Sequence, residues 1–216
     1  MNKALLRLMA GFKRFKEKYF VPVDLENSVY YKLASAGQTP KTMLIGCSDS
    51  RVDPAILTGA EPGELFVVRN VANLVPPCES STGGFHGTSS ALEFAVQHLK
   101  VENIIILGHR QCGGVQALMN STPETPNSFI GQWMSIAKEA KQYVLLNHGD
   151  LSKESQCRLA EMESIKVSIR NIKTFPFVQE AIAERQLNVI GVYFDLEEGE
   201  LWELEESTNQ FRQLNL

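Results

Sequence analysis

No stretch of this chain is apolar for long enough to cross a membrane. A span needs about 18–20 consecutive apolar residues, and every apolar run here is far shorter. Cysteine is scarce, with four in 216 residues. That excludes a disulfide scaffold and leaves metal ligands, a nucleophile or buried thiols. Positive charge is not in excess either: 21 Lys and Arg stand against 25 Asp and Glu, a net charge of −4. Such a chain is a poor general binder of nucleic acid, whose phosphates need a positive surface. What remains is a chain 44% apolar, long enough to bury one sizeable core.

The first twenty residues differ from the rest. Lys3, Arg7, Lys13, Arg14, Lys16 and Lys18 against Glu17 give them a net charge of +5. Leu5, Leu6, Leu8, Met9 and Phe12 can share one helical face. A secretory signal fits badly, because Arg7 interrupts the apolar core and no small-x-small cleavage site follows. The spacing predicts an amphipathic helix that packs on the body or on a partner subunit, in place of a transit peptide or a membrane-surface helix. Residues 1–36 are read as a helical arm, residues 37–216 as one domain, and the expected compartment is the cytoplasm.

Four short apolar runs read as buried strands: 42–47, 64–70, 103–109 and 188–196. The last continues through "EEGE" into "LWEL", a hairpin with Gly199 at its turn. Helical patterns cover 24–36, 88–99 with Thr88 as N-cap, 128–146, 151–173 and 177–186. The alternation predicts an α/β fold with a mostly parallel sheet of four or five strands flanked by helices. A flexible loop is expected at 76–88, and the acidic residues from Asp195 to Glu206 are expected on a solvated hairpin face.

Cys47 closes the first predicted strand and His109 the third, with Cys112 three residues on. In open α/β sheets ligands bind outside the carboxyl ends of the strands. If the two strands are neighbours, the three side chains converge. Two thiolates and one imidazole suit zinc and leave its fourth position open. H-x-x-C alone is a weak signal, since single cysteines are commonly buried thiols. The string "CSDSR" strengthens it: Asp49 and Arg51 alternate with Cys47, which puts a carboxylate–guanidinium pair beside a metal position. Zinc lowers the pKa of bound water. Asp49 can accept a hydrogen bond from that oxygen, and Arg51 can keep Asp49 ionised. Gly113 and Gly114 open a helix whose N–H groups can receive an anion.

"CSDSR" (47–51), "PGELFVVRNVANLVPP" (62–77), "ALEFAVQHLKVENIIILGH" (91–109) and "CGGV" (112–115) together resemble the signature segments of β-class carbonic anhydrases. The resemblance is dense over 38–120 and looser to the C-terminal hairpin. It implies reversible hydration of CO2 to bicarbonate and a proton by zinc-bound hydroxide. One zinc per chain would be held by Cys47, His109 and Cys112, with Asp49 and Arg51 beside it. It also implies a homodimer at least, with sites near the subunit interface. Gln38, Phe66 and Gly113 match substrate-binding positions of the plant-like, open-site branch. Phe94 stands where that branch often has Tyr, so the hydroxyl is missing. The other branch carries an inhibitory bicarbonate pocket with a Trp where this chain has Leu44, although Arg69 occupies the matching arginine position.

Two rival readings remain open at this point. One is a zinc-dependent hydrolase of CS2 or COS on the same fold. The other is a non-catalytic zinc or thiol sensor. His86 is a weaker candidate, as a proton shuttle, and Cys78 and Cys157 read as spectators.

Overall fold

The computed structural model describes residues 2–20, 26–79, 84–121 and 128–215. Residues 24 and 25 of the expected helix and 80–83 of the expected loop lie outside these. Six strands form one sheet: β1 (Thr42–Cys47), β2 (Leu65–Asn70), β3 (Asn103–His109), β4 (Asn188–Asp195), β5 (Glu200–Glu205) and β6 (Gln210–Gln213), in the order β2-β1-β3-β4-β5-β6. The first four are parallel, and β5 and β6 add antiparallel at the edge. The expected α/β architecture and the hairpin at Gly199 (φ +70°) are present. The strand count rises to six because β6, too polar to read as a strand, is held by pairing with β5.

The helices are α1 (Lys3–Tyr19), α2 (Val29–Ala36), α3 (Pro54–Thr58), α4 (Gly87–Glu93), α5 (Gly113–Asn120), α6 (Phe129–Met134), α7 (Lys138–Asn147), α8 (Lys153–Ile172) and α9 (Pro176–Arg185). Two expectations need correction. Thr88 is not an N-cap: the helix already begins at Gly87, and the Thr88 hydroxyl instead accepts from Asn70 Nδ2 at 3.4 Å. The single helix expected over 128–146 is two, because a tight turn at Ser135–Ala137 separates α6 from α7.

One sheet face carries Met43, Ile45, Ile104, Ile106 and Tyr193, buried against Leu92, Ile165, Ile169 and Ile172. Two glycines set how close α8 comes. A Cβ at Gly108 would stand 2.6 Å from Ile165 Cδ1, and one at Gly191 would stand 2.8 Å from Ile169 Cδ1. Thus α8 lies directly on β3 and β4, beneath the end of β3 where His109 sits. The opposite face carries a register row of Val67, Leu44, Ile105 and Ile190. Its small cluster consists of strand residues alone, with Val67 41% exposed. α1 forms the expected amphipathic helix but buries no residue, and Leu5, Leu6, Leu8, Met9 and Phe12 are exposed. It packs on α2 through Phe15 on the Tyr30 ring and touches the body through the Tyr19 hydroxyl on Glu61.

Candidate metal centre

β1 and β3 are neighbours, so Cys47 and His109 end side by side, and Cys112 caps α5 directly opposite. Their ligand atoms all lie within 4.8 Å of one another, and all three residues are buried. Cys47 Sγ is 3.9 Å from Cys112 Sγ, and both thiols are free. Two sulfurs on a tetrahedral zinc at about 2.3 Å each stand roughly 3.8 Å apart. The donor set fits that metal in spacing as well as in chemistry.

The imidazole is fixed in the matching tautomer. His109 Nδ1 is 2.8 Å from the Arg110 carbonyl, which can only accept, so Nδ1 carries the hydrogen. Nε2 is buried and has no hydrogen-bond partner. Its lone pair is free for a cation, and without one it is a buried polar atom left unsatisfied.

The electrostatics point the same way. The two sulfurs cannot both ionise alone. The Cys47 thiol is drawn well down by its hydrogen bond from Cys112, then by His109 and by the N–H groups of Asp49 and Ala72. Cys112 is pushed up by Cys47 and by burial. Burial pulls His109 down, but the negative charge of the neighbouring Cys47, with the Arg110 carbonyl and Asp49, outweighs it, and the net shift is upward. A divalent cation between the groups removes the conflict. Ala72 reaches Cys47 from a left-handed turn, with φ +62° at Ala72 and +49° at Asn73.

Asp49 lies beside this cluster. Its Oδ2 is 4.0 Å from His109 Nε2. Arg51 grips it bidentately, Nε to Oδ1 at 2.9 Å and Nη2 to Oδ2 at 2.7 Å, and the Arg51 N–H adds a third bond at 2.9 Å. These bonds hold the Asp49 carboxyl far below the usual carboxylate range. Arg69 braces the same loop, donating to the carbonyls of Cys47 (2.8 Å) and Asp49 (2.6 Å) and pairing with Asp53. Leu44 is buried among strand residues. Gly113 faces open space, whereas a Cβ at Gly114 would meet Val71 Cγ1 at 2.7 Å. So Gly114 lets α5 approach the ligand loop, and Gly113 leaves the mouth clear.

Other expected site residues do not reach the cluster of their own chain. Phe66 pairs with Met43, four residues before Cys47 on the strand, or about 13 Å away. Phe94 packs tilted against Phe66, ring centroids 5.8 Å apart, in a π-helical turn that continues α4. Gln38 precedes β1, at the same end of the sheet. His86 stands 3.8 Å from Glu79 and outside the cluster. Cys78 is exposed and Cys157 half-buried, and they form no disulfide.

Two buried acids escaped the sequence reading. Glu161 on α8 accepts the Cys112 N–H at 2.9 Å and the Tyr193 hydroxyl at 2.9 Å. Burial pushes its carboxyl up to about 7. Asp195, expected on a solvated face, is fully buried between Arg110 (3.3 Å) and Arg158 (3.0 Å). A charge in a helix or strand pattern reads as solvated, and only contacts from distant elements reverse that.

Residues 42–201 match a family model described as carbonic anhydrase. The chain is 37% identical over 210 residues to beta carbonic anhydrase 3 of Arabidopsis thaliana, covering 95% of this chain and 79% of that protein. Among solved structures, the β-carbonic anhydrase CcaA superposes with a TM-score of 0.87 at 31% identity, over 100% of this chain and 94% of that one. One of two tetrameric β-carbonic anhydrases of Sordaria macrospora gives 0.77 at 30% identity, over 93% and 94%. A Coccomyxa β-carbonic anhydrase in complex with acetazolamide gives 0.79 at 29% identity, over 94% and 87%.

Proposed function

The chain belongs to the β-class carbonic anhydrases, and from that premise we propose that it hydrates CO2 reversibly with one zinc held by Cys47, His109 and Cys112. The observation that carries this reading is the unpartnered, buried His109 Nε2 beside two unpaired thiols, with an ionised Asp49 next to it. A bound zinc supplies Lewis acidity, which brings the pKa of water in its open position towards neutrality.

The chain's own residues do the rest. Asp49, kept ionised by Arg51, can only accept a hydrogen bond. It therefore accepts a hydrogen bond from the attacking oxygen, which keeps its hydrogen and turns a lone pair towards the carbon of CO2. As the O–C bond forms, one C=O electron pair moves onto oxygen, and the net proton of hydration leaves to solvent. The Gly113 N–H, at the start of α5 where even a Cβ would meet nothing within 4 Å, receives the developing bicarbonate. Because Asp49 is engaged by Arg51, the resting site is open. A zinc-loaded crystal near pH 8 with an Asp49 oxygen about 2.0–2.2 Å from the metal would overturn that point.

The domain division at residue 36 and the oligomer belong together. Among the described residues, nothing buries the apolar stripe of α1, and the Val67–Leu44–Ile105–Ile190 row lacks a covering helix. Parallel sheets are normally covered on both faces. In a homodimer the arm of one copy covers the sheet of the other, and Gln38, Phe66 and Phe94 of a second copy line the pocket that this chain leaves unfinished. Deleting residues 1–20 should give a monomer by light scattering, and a persisting dimer would refute the exchange.

The functional test is CO2 hydration by stopped flow on protein of measured zinc content, beside hydrolysis of CS2 and COS. Hydration at about one zinc per chain is expected. Turnover of CS2 or COS alone selects the hydrolase, and bound zinc with no turnover of any of the three selects the sensor.

A further inference from the structure

Gln111 stands behind the Asp49–Arg51 pair, in the turn between β3 and α5. Its φ is +57°, a left-handed conformation that disfavours a residue with a Cβ. That turn aims two oxygens of Gln111 at one guanidinium. Its carbonyl accepts from Arg51 Nη2 at 3.0 Å and its Oε1 from Arg51 Nη1 at 3.3 Å. The Gln111 Nε2 in turn donates to Glu197 Oε1. Glu197 is itself fixed: its Oε2 pairs with Arg110 Nη2 at 2.8 Å, and its N–H donates to the buried Asp195 at 3.1 Å.

Arg51 needs such support. Its side chain is 46% exposed, and an exposed ion pair alone holds its partners loosely. Asp49 occupies Nε and one edge of Nη2. Gln111 occupies N–H groups that Asp49 leaves free. We propose that Gln111 is a positioning residue for the reaction: it fixes the Arg51 guanidinium, hence the Asp49 carboxylate, while Glu197 anchors its amide from the β4–β5 turn. The inference rests on the reading of Asp49 as the group that orients the attacking oxygen.

The test uses the full-length zinc-loaded enzyme with Gln111→Ala, Gln111→Gly, Glu197→Ala and the double variant Gln111→Ala with Glu197→Ala. Both Gln111 variants should keep their zinc and lose kcat by about 10-fold, the scale of changes around a metal's ligands. Gln111→Gly should melt no lower than Gln111→Ala, since glycine adopts this φ freely. Glu197→Ala should lower kcat by a smaller factor and add nothing to Gln111→Ala. In the same zinc-loaded protein, the Arg51 Nε–H followed by 15N NMR should exchange with solvent several-fold faster in both Gln111 variants.

Wild-type kcat in Gln111→Gly would show that the residue only shapes the turn and would overturn the proposal. Unchanged Arg51 exchange, additive losses in the double variant, or zinc loss from both Gln111 variants would overturn it too. Asp49→Ala separates the two levels. If it is fully active, the role of the pair falls and this inference with it. If it is impaired while the Gln111 variants are not, only this inference falls.

Discussion

Replacing Asp49 by alanine separates rate from stability because the structure assigns the two very different sizes. The Arg51 side chain is 46% exposed and that of Asp49 is 18% exposed. An ion pair so placed contributes about 0–1 kcal/mol to folding. Asp49 is also absent from the set of atoms that can hold the metal, so zinc should stay. Removing the acceptor beside the reacting oxygen acts on the barrier instead. Changes around a metal's ligands typically cost about 10–100-fold, equivalent to about 1.4–2.7 kcal/mol. The expected variant therefore melts within a few degrees of wild type, carries full zinc, and hydrates CO2 about 10–100-fold more slowly in stopped flow with a pH indicator. Its pH dependence of stability should change only in acid. A depressed carboxyl adds stability that is complete above its unfolded value of about 3.9 and is lost as pH falls further. Wild-type kinetics in the zinc-replete variant would refute the role given to Asp49. Loss of zinc would refute its placement outside the ligand set.

Cys112→Ser should lower zinc occupancy severely, because a serine hydroxyl is a far poorer ligand at neutral pH; full zinc with full activity by metal analysis and stopped flow would sink the ligand assignment. Gly108→Ala should destabilise by about 1–3 kcal/mol in urea unfolding, since its Cβ would fall 2.6 Å from Ile165 Cδ1 and force α8 off the sheet; unchanged stability would contradict that packing. Glu161→Gln tests the raised carboxyl in the metal-free protein. A buried acid titrating at about 7 instead of 4.5 costs the fold stability as pH rises between those values. The variant should gain on wild type through that window and level off above it, and a pH-independent difference would refute the burial argument.

The four parallel strands were legible because each is a short run of large aliphatic residues ending at a polar loop, and that pattern is local. "NIIILGH" became β3 with its bounds unchanged. The candidate ligand residues stood out for a related reason: thiolate and imidazole chemistry belongs to the residue type, and strand ends are where such groups gather. Thr88 and the 128–146 helix were misread because caps and breaks depend on what packs alongside. Thr88 receives Asn70, and the turn at Ser135–Ala137 buries Ala137.

By itself, then, the sequence carried the α/β class in a repeating pattern, and it wrote Asp49 and Arg51 beside Cys47 and Cys112 three residues after His109; that Cys47 meets His109 across 62 residues follows only from the pairing of β1 with β3. Tertiary structure alone decided the rest. It placed Glu161 under the Cys112 N–H across 49 residues of chain and Gln111 against Glu197 across 86. It also set Phe66, Phe94 and Gln38 at the far end of the sheet from the Cys47–His109–Cys112 cluster. A buried acid, a tether and a distance are properties of pairs, and the pairs form only when remote segments pack. No local pattern of apolar and polar residues records which glutamate a distant amide will meet.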